Sequence, residues 1–439
     1  MSTNWFFALN NVRREAVVTP LRSLHLGLTR TLKAVSPPKL SLGGTICFVL
    51  AIFCFCGCDQ GRKKVVAGDF ITISATNPKL ETNNDIHLSE FVDKIEVIPL
   101  EFNTSCMLRE INKIVIHDDN IFIYEGPKPK TIYRFNINGD FLNQIGSHGP
   151  GPDDILELRG FSVDEETNTV YLFDNARQTV FNFSFDGKLI EKINVNQYGQ
   201  RFEYKDGLFY FFIDQPVKGE LYSVVIRDKK GNLENVFFPS NQYDKNFGGE
   251  QPFIKSENGM FFSRYFNDTI YSIKGKELNY AYFIDFGPYR LTARETEDFY
   301  TDKVSPMAFG VLDRLIGEKY FHQVSDFIFF KSTNKFIQYT FVYNLKTKEL
   351  KNSTSVTDDL EYMFQGISFY GQKGDALIGI YDASSYSADI ERIKKYREEG
   401  LITEEKANEQ IKKFESFKRG DDKRDEINPW VLLYHIKKQ

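Results

Sequence analysis

The sequence predicts an all-β protein, a six-bladed β-propeller of four-stranded blades, and two observations lead to this prediction. The first is composition: 15% of the residues are aromatic, with 41 Phe and 23 Tyr, and both residue types favour half-buried strands. The second is a motif of an apolar residue, Tyr or Phe, a polar residue and another apolar residue. It recurs six times, as in Ile132–Phe135, and such recurrence indicates a repeat architecture.

The aromatic residue of this motif marks each repeat. The first four lie 48, 41 and 49 residues apart, a spacing typical of one propeller blade. A turn and a second strand follow each of the first five motifs. Two of these turns contain Asn138-Gly139 and Asp186-Gly187, which suit hairpins because they tolerate positive φ. Another candidate hairpin precedes each motif, so two hairpins make one blade. The marker residues are Tyr133, Phe181, Tyr222, Tyr271, Tyr343 and Tyr434.

The sixth repeat lacks its outermost strand, because the chain ends at Gln439 soon after the last motif. A spare strand with alternating apolar and polar residues, Lys94–Leu100, precedes the first blade. Pairing this strand with the C-terminal strand completes the sixth blade and removes an exposed sheet edge. We therefore expect residues 91–439 to form one closed propeller.

Two insertions, at residues 287–319 and 384–427, interrupt the repeats. One connects the last strand of blade 4 to the first strand of blade 5, and the other connects the second and third strands of blade 6. Both connections belong to the same face of the ring. The second insertion predicts a helical hairpin, because Ala388–Glu399 is followed by Gly400 and Thr403 can cap a second helix. This hairpin is expected either to pack on the ring or to serve as a lid or docking arm.

The N-terminal region predicts an export signal. A basic stretch precedes the apolar run Ile46–Phe55, which is too short to span a bilayer and typical of a signal peptide. The sequence Phe55-Cys-Gly-Cys58 that follows resembles the lipobox of bacterial lipoproteins. The resemblance implies a signal peptide at residues 1–57 and a lipid on Cys58, with a translation start downstream of Met1. An uncleaved membrane anchor is the alternative, and residues 58–90 are expected to form a tether.

Three segments resemble a family of lipid-anchored six-bladed propellers abundant in Bacteroidetes-type bacteria: Leu88–Glu101, the Gly-Pro-Gly segment Ile145–Asp153 and the closing strand Asn428–Tyr434. The similarity covers residues 86–438. It implies the propeller fold and a lipid-anchored place in the cell envelope, with the outer membrane favoured and the periplasmic or surface side left open. Many members of the family lie near glycan-uptake systems, and the family has no assigned chemistry.

The net charge, the cysteine count and the search for catalytic motifs limit which classes of function the sequence supports. A net charge of −5 argues against nucleic-acid binding, which leaves a basic footprint. Cys106 is the only cysteine after Cys58, so the folded body cannot hold an internal disulfide. The sequence has no Gly-x-Ser-x-Gly or His-Glu-x-x-His motif. We therefore predict neither a metal nor a cofactor, and we leave open whether the protein catalyses a reaction.

Binding residues are expected on the face that carries the insertions, because loops on a rigid scaffold usually form binding sites. The leading hypothesis is a binding or scaffold protein for a glycan or protein partner. The alternatives are a metal-assisted hydrolase or lyase with its site at the channel mouth, and a structural subunit of an outer-membrane complex. The candidate binding residues are His148, Asp153, Asp174, Arg177, Arg264, Asn267 and Asp382.

Overall fold

The structure is a computed structural model in which a ring of antiparallel sheets forms most of the described chain. It describes residues 70–75, 80, 86–109, 111–125, 131–213, 222–239, 251–256, 259–264, 267–300, 311–361, 363, 368–419 and 428–438. The predicted signal peptide and Cys58 lie outside these residues. Among the described residues, no helix has the length and apolar character needed to cross a bilayer.

The described strands, in chain order, form six four-stranded blades and three additional short strands. Ahead of blade 1 lie β1 (Ile71–Ser74), β2 (Ile86–His87) and β3 (Val92–Pro99). Blade 1 contains β4 (Ile111–His117), β5 (Asn120–Glu125), β6 (Ile132–Asn136) and β7 (Phe141–Ile145). Blade 2 contains β8 (Leu158–Asp164), β9 (Thr169–Asp174), β10 (Thr179–Ser184) and β11 (Leu189–Asn194). Blade 3 contains β12 (Arg201–Lys205), β13 (Leu208–Phe212), β14 (Tyr222–Asp228) and β15 (Leu233–Pro239).

The second half of the ring has the same plan. Blade 4 contains β16 (Phe253–Ser256), β17 (Gly259–Ser263), β18 (Thr269–Lys274) and β19 (Glu277–Asp285). The helix α1 (Ala293–Tyr300) leads to blade 5, with β20 (Ile316–Val324), β21 (Phe327–Asn334), β22 (Ile337–Asn344) and β23 (Leu350–Ser353). After the short β24 (Val356–Thr357), blade 6 contains β25 (Phe369–Lys373), β26 (Ala376–Tyr381) and β27 (Trp430–Ile436). The helices α2 (Tyr386–Glu398) and α3 (Glu404–Ser416) lie between β26 and β27.

The N-terminal strand β3 is the fourth strand of blade 6. It pairs antiparallel with β27 over seven residue pairs, from Trp430 opposite Pro99 to Ile436 opposite Val92. Glu101 then donates its backbone N–H to the carbonyl of Gly139 at 2.8 Å, which joins the end of blade 6 to the outer turn of blade 1. The six-bladed fold and its closure are therefore confirmed.

Two short strands extend the folded body into the predicted tether. β1 pairs in parallel with β19 as a fifth strand on blade 4, and Ile73 of β1 is fully buried. β2 pairs in parallel with β24, beside blade 5. Residues 71–74 and 86–87 thus belong to the propeller, although the sequence placed them in a polar linker. Their strands are too short to show a repeat pattern.

The core lies between neighbouring blades, and aromatic rings fill much of it. Phe173 of blade 2 packs against Phe202 and Phe211 of blade 3, with ring centroids 5.6 and 5.0 Å apart. All three rings are buried, and each aromatic side chain removes a large apolar area from water. The high Phe and Tyr content is therefore a property of the blades themselves.

The connections between strands separate the two faces of the ring. Connections from the second to the third strand of a blade, and from the fourth strand to the next blade, lie on one face, here called the insertion face. Both large insertions lie there, as expected from the strand order. Blade 5 differs from the other blades because its second and third strands have eight residues each, against five to seven elsewhere.

The helical hairpin packs onto blade 6. Ile393 of α2 and Phe414 of α3 are buried, and Phe414 contacts Trp430 with ring centroids 5.6 Å apart. The Tyr381 hydroxyl also donates to a carboxylate oxygen of Asp389 at 2.9 Å. Thr403 caps α3 by accepting the backbone N–H of Lys406, as predicted. Of the two interpretations, the structure shows the packed hairpin.

Candidate functional site

The Gly-Pro-Gly segment forms a loop between blades 1 and 2, residues 146–157, here called the Gly149 loop. Two side chains of blade 2, those of Asp174 and Arg177, hold its backbone. The fully buried Asp174 carboxylate accepts the N–H groups of Leu156, Glu157 and Arg177, at 2.8–3.2 Å. The Arg177 guanidinium donates to the carbonyls of Pro150, Gly151 and Pro152. Two of the predicted binding residues, Asp174 and Arg177, thus hold the loop backbone in place.

Asp154 closes the Gly149 loop on itself. Its carboxylate accepts the Ser147 hydroxyl at 2.5 Å and the Gly151 N–H at 3.0 Å. The Ser147 hydrogen bond, the Gly151 hydrogen bond and the Arg177 charge together lower the pKa of Asp154. A Cβ at Gly149 or Gly151 would lie 2.5–2.6 Å from an Asp154 oxygen. A larger residue at either position would therefore displace the Asp154 carboxylate from these hydrogen bonds.

His148 and Asp153 lie at the exposed tip of the loop. The His148 Nδ1 lies 3.0 Å from the carbonyl oxygen of Ile155. A carbonyl can only accept, so Nδ1 carries the hydrogen in this contact and Nε2 is left as an exposed acceptor while the ring is neutral. Asp153 pairs with Lys192 at 2.8 Å. Whether these side chains bind a ligand stays a prediction.

Hydrogen bonds join the Gly149 loop to two neighbouring connections. Asn175 donates its backbone N–H to the Glu157 carbonyl at 3.0 Å, and its side-chain oxygen accepts the Gly199 N–H at 3.0 Å. Leu156 and Tyr198 are exposed on these joined segments. Residues 146–157, 175–178 and 195–200 thus form one continuous region, here called the Gly149 surface.

The three remaining candidates lie in other blades. Asn267 accepts the Thr269 N–H and donates to the Tyr271 hydroxyl in a turn of blade 4. Arg264 lies 4.8 Å from the ring of Phe238. Asp382 of blade 6 accepts the Ser384 N–H ahead of α2. Asn267 and Arg264 thus belong to blade 4 and Asp382 to blade 6, whereas the Gly149 surface is built by connections of blades 1 to 3.

The Asp174 carboxylate predicts a measurable effect on stability. Asp174→Ala leaves three backbone N–H groups without their acceptor, and a buried unsatisfied group costs about 1–3 kcal/mol. We expect a loss of about 3 kcal/mol in the free energy of unfolding, measured by urea denaturation, and faster proteolysis of residues 146–157. Asp153→Ala is the matched control, because its exposed ion pair contributes about 0–1 kcal/mol. Equal stability of the two variants would contradict the assigned role of Asp174.

A buried ionic cluster lies at the ring axis, and no sequence motif predicted it. Glu203 on β12 accepts Lys113 Nζ of β4 at 2.5 Å and lies 3.1 Å from Lys255 Nζ of β16. The Ser162 hydroxyl of β8 donates to the same carboxylate. Burial alone would raise the pKa of Glu203, but the two ammonium groups outweigh it and lower the pKa to about 2. The cluster ties together the innermost strands of blades 1 to 4.

Exposed apolar side chains are distributed unevenly over the ring. Of the twelve large ones among the described residues, seven lie in or beside connections of the insertion face, and one, Leu233, lies beside a turn of the opposite face. The turns on the face opposite the insertion face are polar, as at Asp118-Asp119 and Asp206-Gly207. An uneven apolar surface of this kind usually marks an interaction site. The seven are Met107, Leu156, Tyr198, Val311, Phe336, Ile337 and Leu401.

Among the described residues, the histidines lie apart from one another. His117 contacts Asn168 at 3.0 Å on the opposite face, and His435 lies between Glu96 and Asp375. His322 is buried, and burial lowers its pKa to about 4. Within the described part of the chain, no three His, Cys, Asp or Glu residues are placed to hold a metal ion.

Comparison with known proteins gives the family. A profile described as "Domain of unknown function (DUF4934)" matches residues 70–435, which include every blade and the strand β1. The chain belongs to this DUF4934 family. A search of curated proteins returns no match.

Several solved structures are similar to this DUF4934 chain. A protein of Bacteroides fragilis NCTC 9343 that is named as an exported protein is 18% identical, with a TM-score of 0.64, and the match covers 84% of this chain and 100% of that chain. A DUF4221 family member from Bacteroides vulgatus is 12% identical, with a TM-score of 0.45, covering 79% and 98%. BamB from Moraxella catarrhalis is 8% identical, with a TM-score of 0.38, covering 65% and 74%. The first of these supports the propeller fold.

Proposed function

We propose that the protein is a lipid-anchored propeller of the bacterial cell envelope that binds a glycan or protein partner through the Gly149 surface. One observation carries this proposal. Arg177, Asp174 and Asp154 fix the loop backbone, while the side chains of His148 and Tyr198 remain exposed on the same surface. A surface held in one conformation loses little entropy on binding, so its contacts contribute more fully to affinity.

The envelope location rests on sequence and on likeness. The lipobox-like sequence before Cys58 provides an attachment site, and two acyl signals on one residue suffice for a stable anchor. The similar protein of Bacteroides fragilis is named as exported. We place the chain at the outer membrane, as for the family that it resembles. Labelling cells with radioactive palmitate tests the anchor, because Cys58→Ala should abolish incorporation.

Binding is tested with His148→Ala and Tyr198→Ala against Lys274→Ala, which alters an exposed residue at a turn of blade 4. We expect the first two variants to weaken binding to a glycan array, or to a co-purifying protein, while Lys274→Ala keeps wild-type binding. The array and the co-purification experiment separate the two partner classes. Binding that survives both Gly149-surface variants would refute this location of the site.

A further inference from the structure

The turns between the third and fourth strands of blades 1 to 3 pack directly on the preceding blade. Each turn contains a glycine at positive φ, namely Gly139, Gly187 and Gly231. A Cβ at these glycines would lie 2.1, 3.0 and 2.4 Å from a backbone carbonyl oxygen in the fourth strand of the neighbouring blade. The absence of a side chain therefore lets each turn rest against the blade before it.

Blade 5 has a lysine at the equivalent position of its turn. In blade 1, Gly139 donates its backbone N–H to the carbonyl of Asn136, the last residue of the third strand, at 2.9 Å. In blade 5, Lys348 donates in the same way to Asn344, also at 2.9 Å. Lys348 has a positive φ of 61° as well. The turn of blade 5 therefore carries a side chain where the turns of blades 1 to 3 have none.

A cavity of about 490 Å³, here called the Lys348 cavity, lies between this turn and blade 4. One wall is β1, the fifth strand of blade 4, and the other is formed by the third and fourth strands of blade 5 with their turn. Small-ligand sites in proteins have volumes of about 300–1,000 Å³. The lining residues are Ile71, Thr72, Ser74, Tyr343, Lys348 and Leu350.

Two polar groups of the Lys348 cavity have no partner within the part of the chain that the structure describes. The exposed ammonium of Lys348 makes no ion pair there, whereas Lys346 in the same turn pairs with Asp326 at 2.7 Å. Tyr343 is only 5% exposed, and its hydroxyl has no hydrogen-bond partner among these residues. Burial raises the pKa of this hydroxyl, so it stays protonated. Because buried polar groups in proteins are normally hydrogen-bonded, a ligand in the cavity would satisfy both groups.

The other lining residues supply two further kinds of contact. Thr72 and Ser74 have exposed side chains on the same face of β1, and both are hydroxyls that can donate and accept hydrogen bonds. Ile71 and Leu350 provide apolar surface. A carboxylate accepts charge-assisted hydrogen bonds from an ammonium group, ligand hydroxyls pair with side-chain hydroxyls, and the carbon atoms of a sugar ring can pack on apolar side chains.

We propose that the Lys348 cavity binds an acidic sugar, with the sugar carboxylate on the Lys348 ammonium and a ring hydroxyl on the Tyr343 hydroxyl. This site is separate from the Gly149 surface, which is built by connections of blades 1 to 3. The acidic sugar is therefore bound whether or not the Gly149 surface holds a partner.

Saturation-transfer NMR on the full chain tests the ligand class. The probes are glucuronate, galacturonate and N-acetylneuraminate, with glucose, galactose and acetate as controls. We expect at least one acidic sugar to bind, and all three controls to bind about tenfold more weakly, because each lacks either the carboxylate or the ring. Absence of binding by all three acidic sugars would refute the proposal. Acetate binding as tightly as the acidic sugars would identify a simple anion site and overturn the sugar assignment.

Two lysine variants in one turn test the residue that holds the carboxylate. Lys348→Gly restores the residue type of blades 1 to 3, so the melting temperature should be unchanged or higher, since glycine suits a positive φ. Its affinity for the acidic sugar should nevertheless fall by about tenfold. Lys346→Met is the matched control and should keep wild-type affinity. Equal losses in both variants would show that the turn, and not the Lys348 ammonium, determines binding.

Tyr343→Phe removes only a hydroxyl and should lower the affinity about fivefold while the fold is kept. An unchanged affinity would exclude this hydroxyl from the site. His148→Ala separates the two sites, because it should weaken binding at the Gly149 surface and leave acidic-sugar binding unchanged. Loss of sugar binding in His148→Ala would place the sugar on the Gly149 surface and refute the Lys348 cavity as its site.

Discussion

Deletion of residues 92–99 is expected to abolish the monomeric fold. These residues form β3, and they bury Val92, Ile95 and Ile98 against the rest of blade 6. Each such side chain contributes about 1.5–3 kcal/mol, and seven residue pairs with β27 are lost as well. The sum is comparable to the total stability of an ordinary domain, about 5–15 kcal/mol. The deletion also exposes β27 as an unpaired edge, which favours association between chains.

Light scattering after size-exclusion chromatography and thermal unfolding measure this effect. We expect aggregation, oligomers or the loss of a cooperative transition. Deletion of residues 71–74 is the control, because β1 is a fifth strand on an already complete blade and buries chiefly Ile73. That variant should remain monomeric with a smaller loss of stability. A monomeric, cooperatively folding product without residues 92–99 would refute the closure.

The closure could be predicted from the sequence because it follows from counting. Six repeats require six outermost strands, but only five follow the repeat motifs. The one unassigned strand, Lys94–Leu100, alternates apolar and polar residues as the missing strand should. β1 could not be found in this way, since four residues paired in parallel to β19 belong to no repeat. The tip of blade 5 was also missed. Lys335-Phe336 has none of the residues that signal a turn, so the sequence does not mark the end of the second strand of that blade at Asn334.

The same difference holds for the candidate site. Features set by neighbouring residues in the sequence were found, whereas features set by contacts with distant segments were not. The Gly-Pro-Gly segment was identified from the family resemblance, and the structure contains it as a distinct, internally bonded loop. The burial of Asp174 could not be predicted, because it depends on the backbone of residues 156–157 folding over the end of β9. Sequence patterns identify where a loop lies, whereas the contacts of each side chain depend on neighbouring blades.

Substitution of Glu203 by Gln is expected to destabilise the protein strongly. The carboxylate neutralises two buried or half-buried ammonium groups, Lys113 and Lys255, and their strands come from blades 1 and 4. Removing one partner of a buried ion pair costs about 3–5 kcal/mol, because the other charge is left without compensation. Glu203→Gln keeps the shape of the side chain and removes only its charge. Urea denaturation at pH 7 measures the loss.

The pH dependence provides a second measurement on the same group. The pKa of Glu203 falls from 4.5 to about 2 on folding. The ionised carboxylate therefore contributes fully to the free energy of unfolding above pH 4.5, and this contribution disappears as the pH falls toward 2. The wild type should lose this share of stability over that interval, and Glu203→Gln should not. If the difference in the free energy of unfolding between the two proteins stays constant from pH 5 to pH 2, Glu203 is not ionised in the folded protein.

A triple variant separates charge compensation from packing. Replacing Glu203 by Gln together with Lys113→Met and Lys255→Met removes all three charges and keeps side chains of similar length. Because apolar replacement of a buried ion cluster is often neutral or stabilising, we expect the triple variant to be more stable than Glu203→Gln alone. If it is not, the four innermost strands depend on the specific hydrogen bonds of the cluster, such as Lys113 to the Phe161 carbonyl at 2.7 Å, rather than on its charge balance.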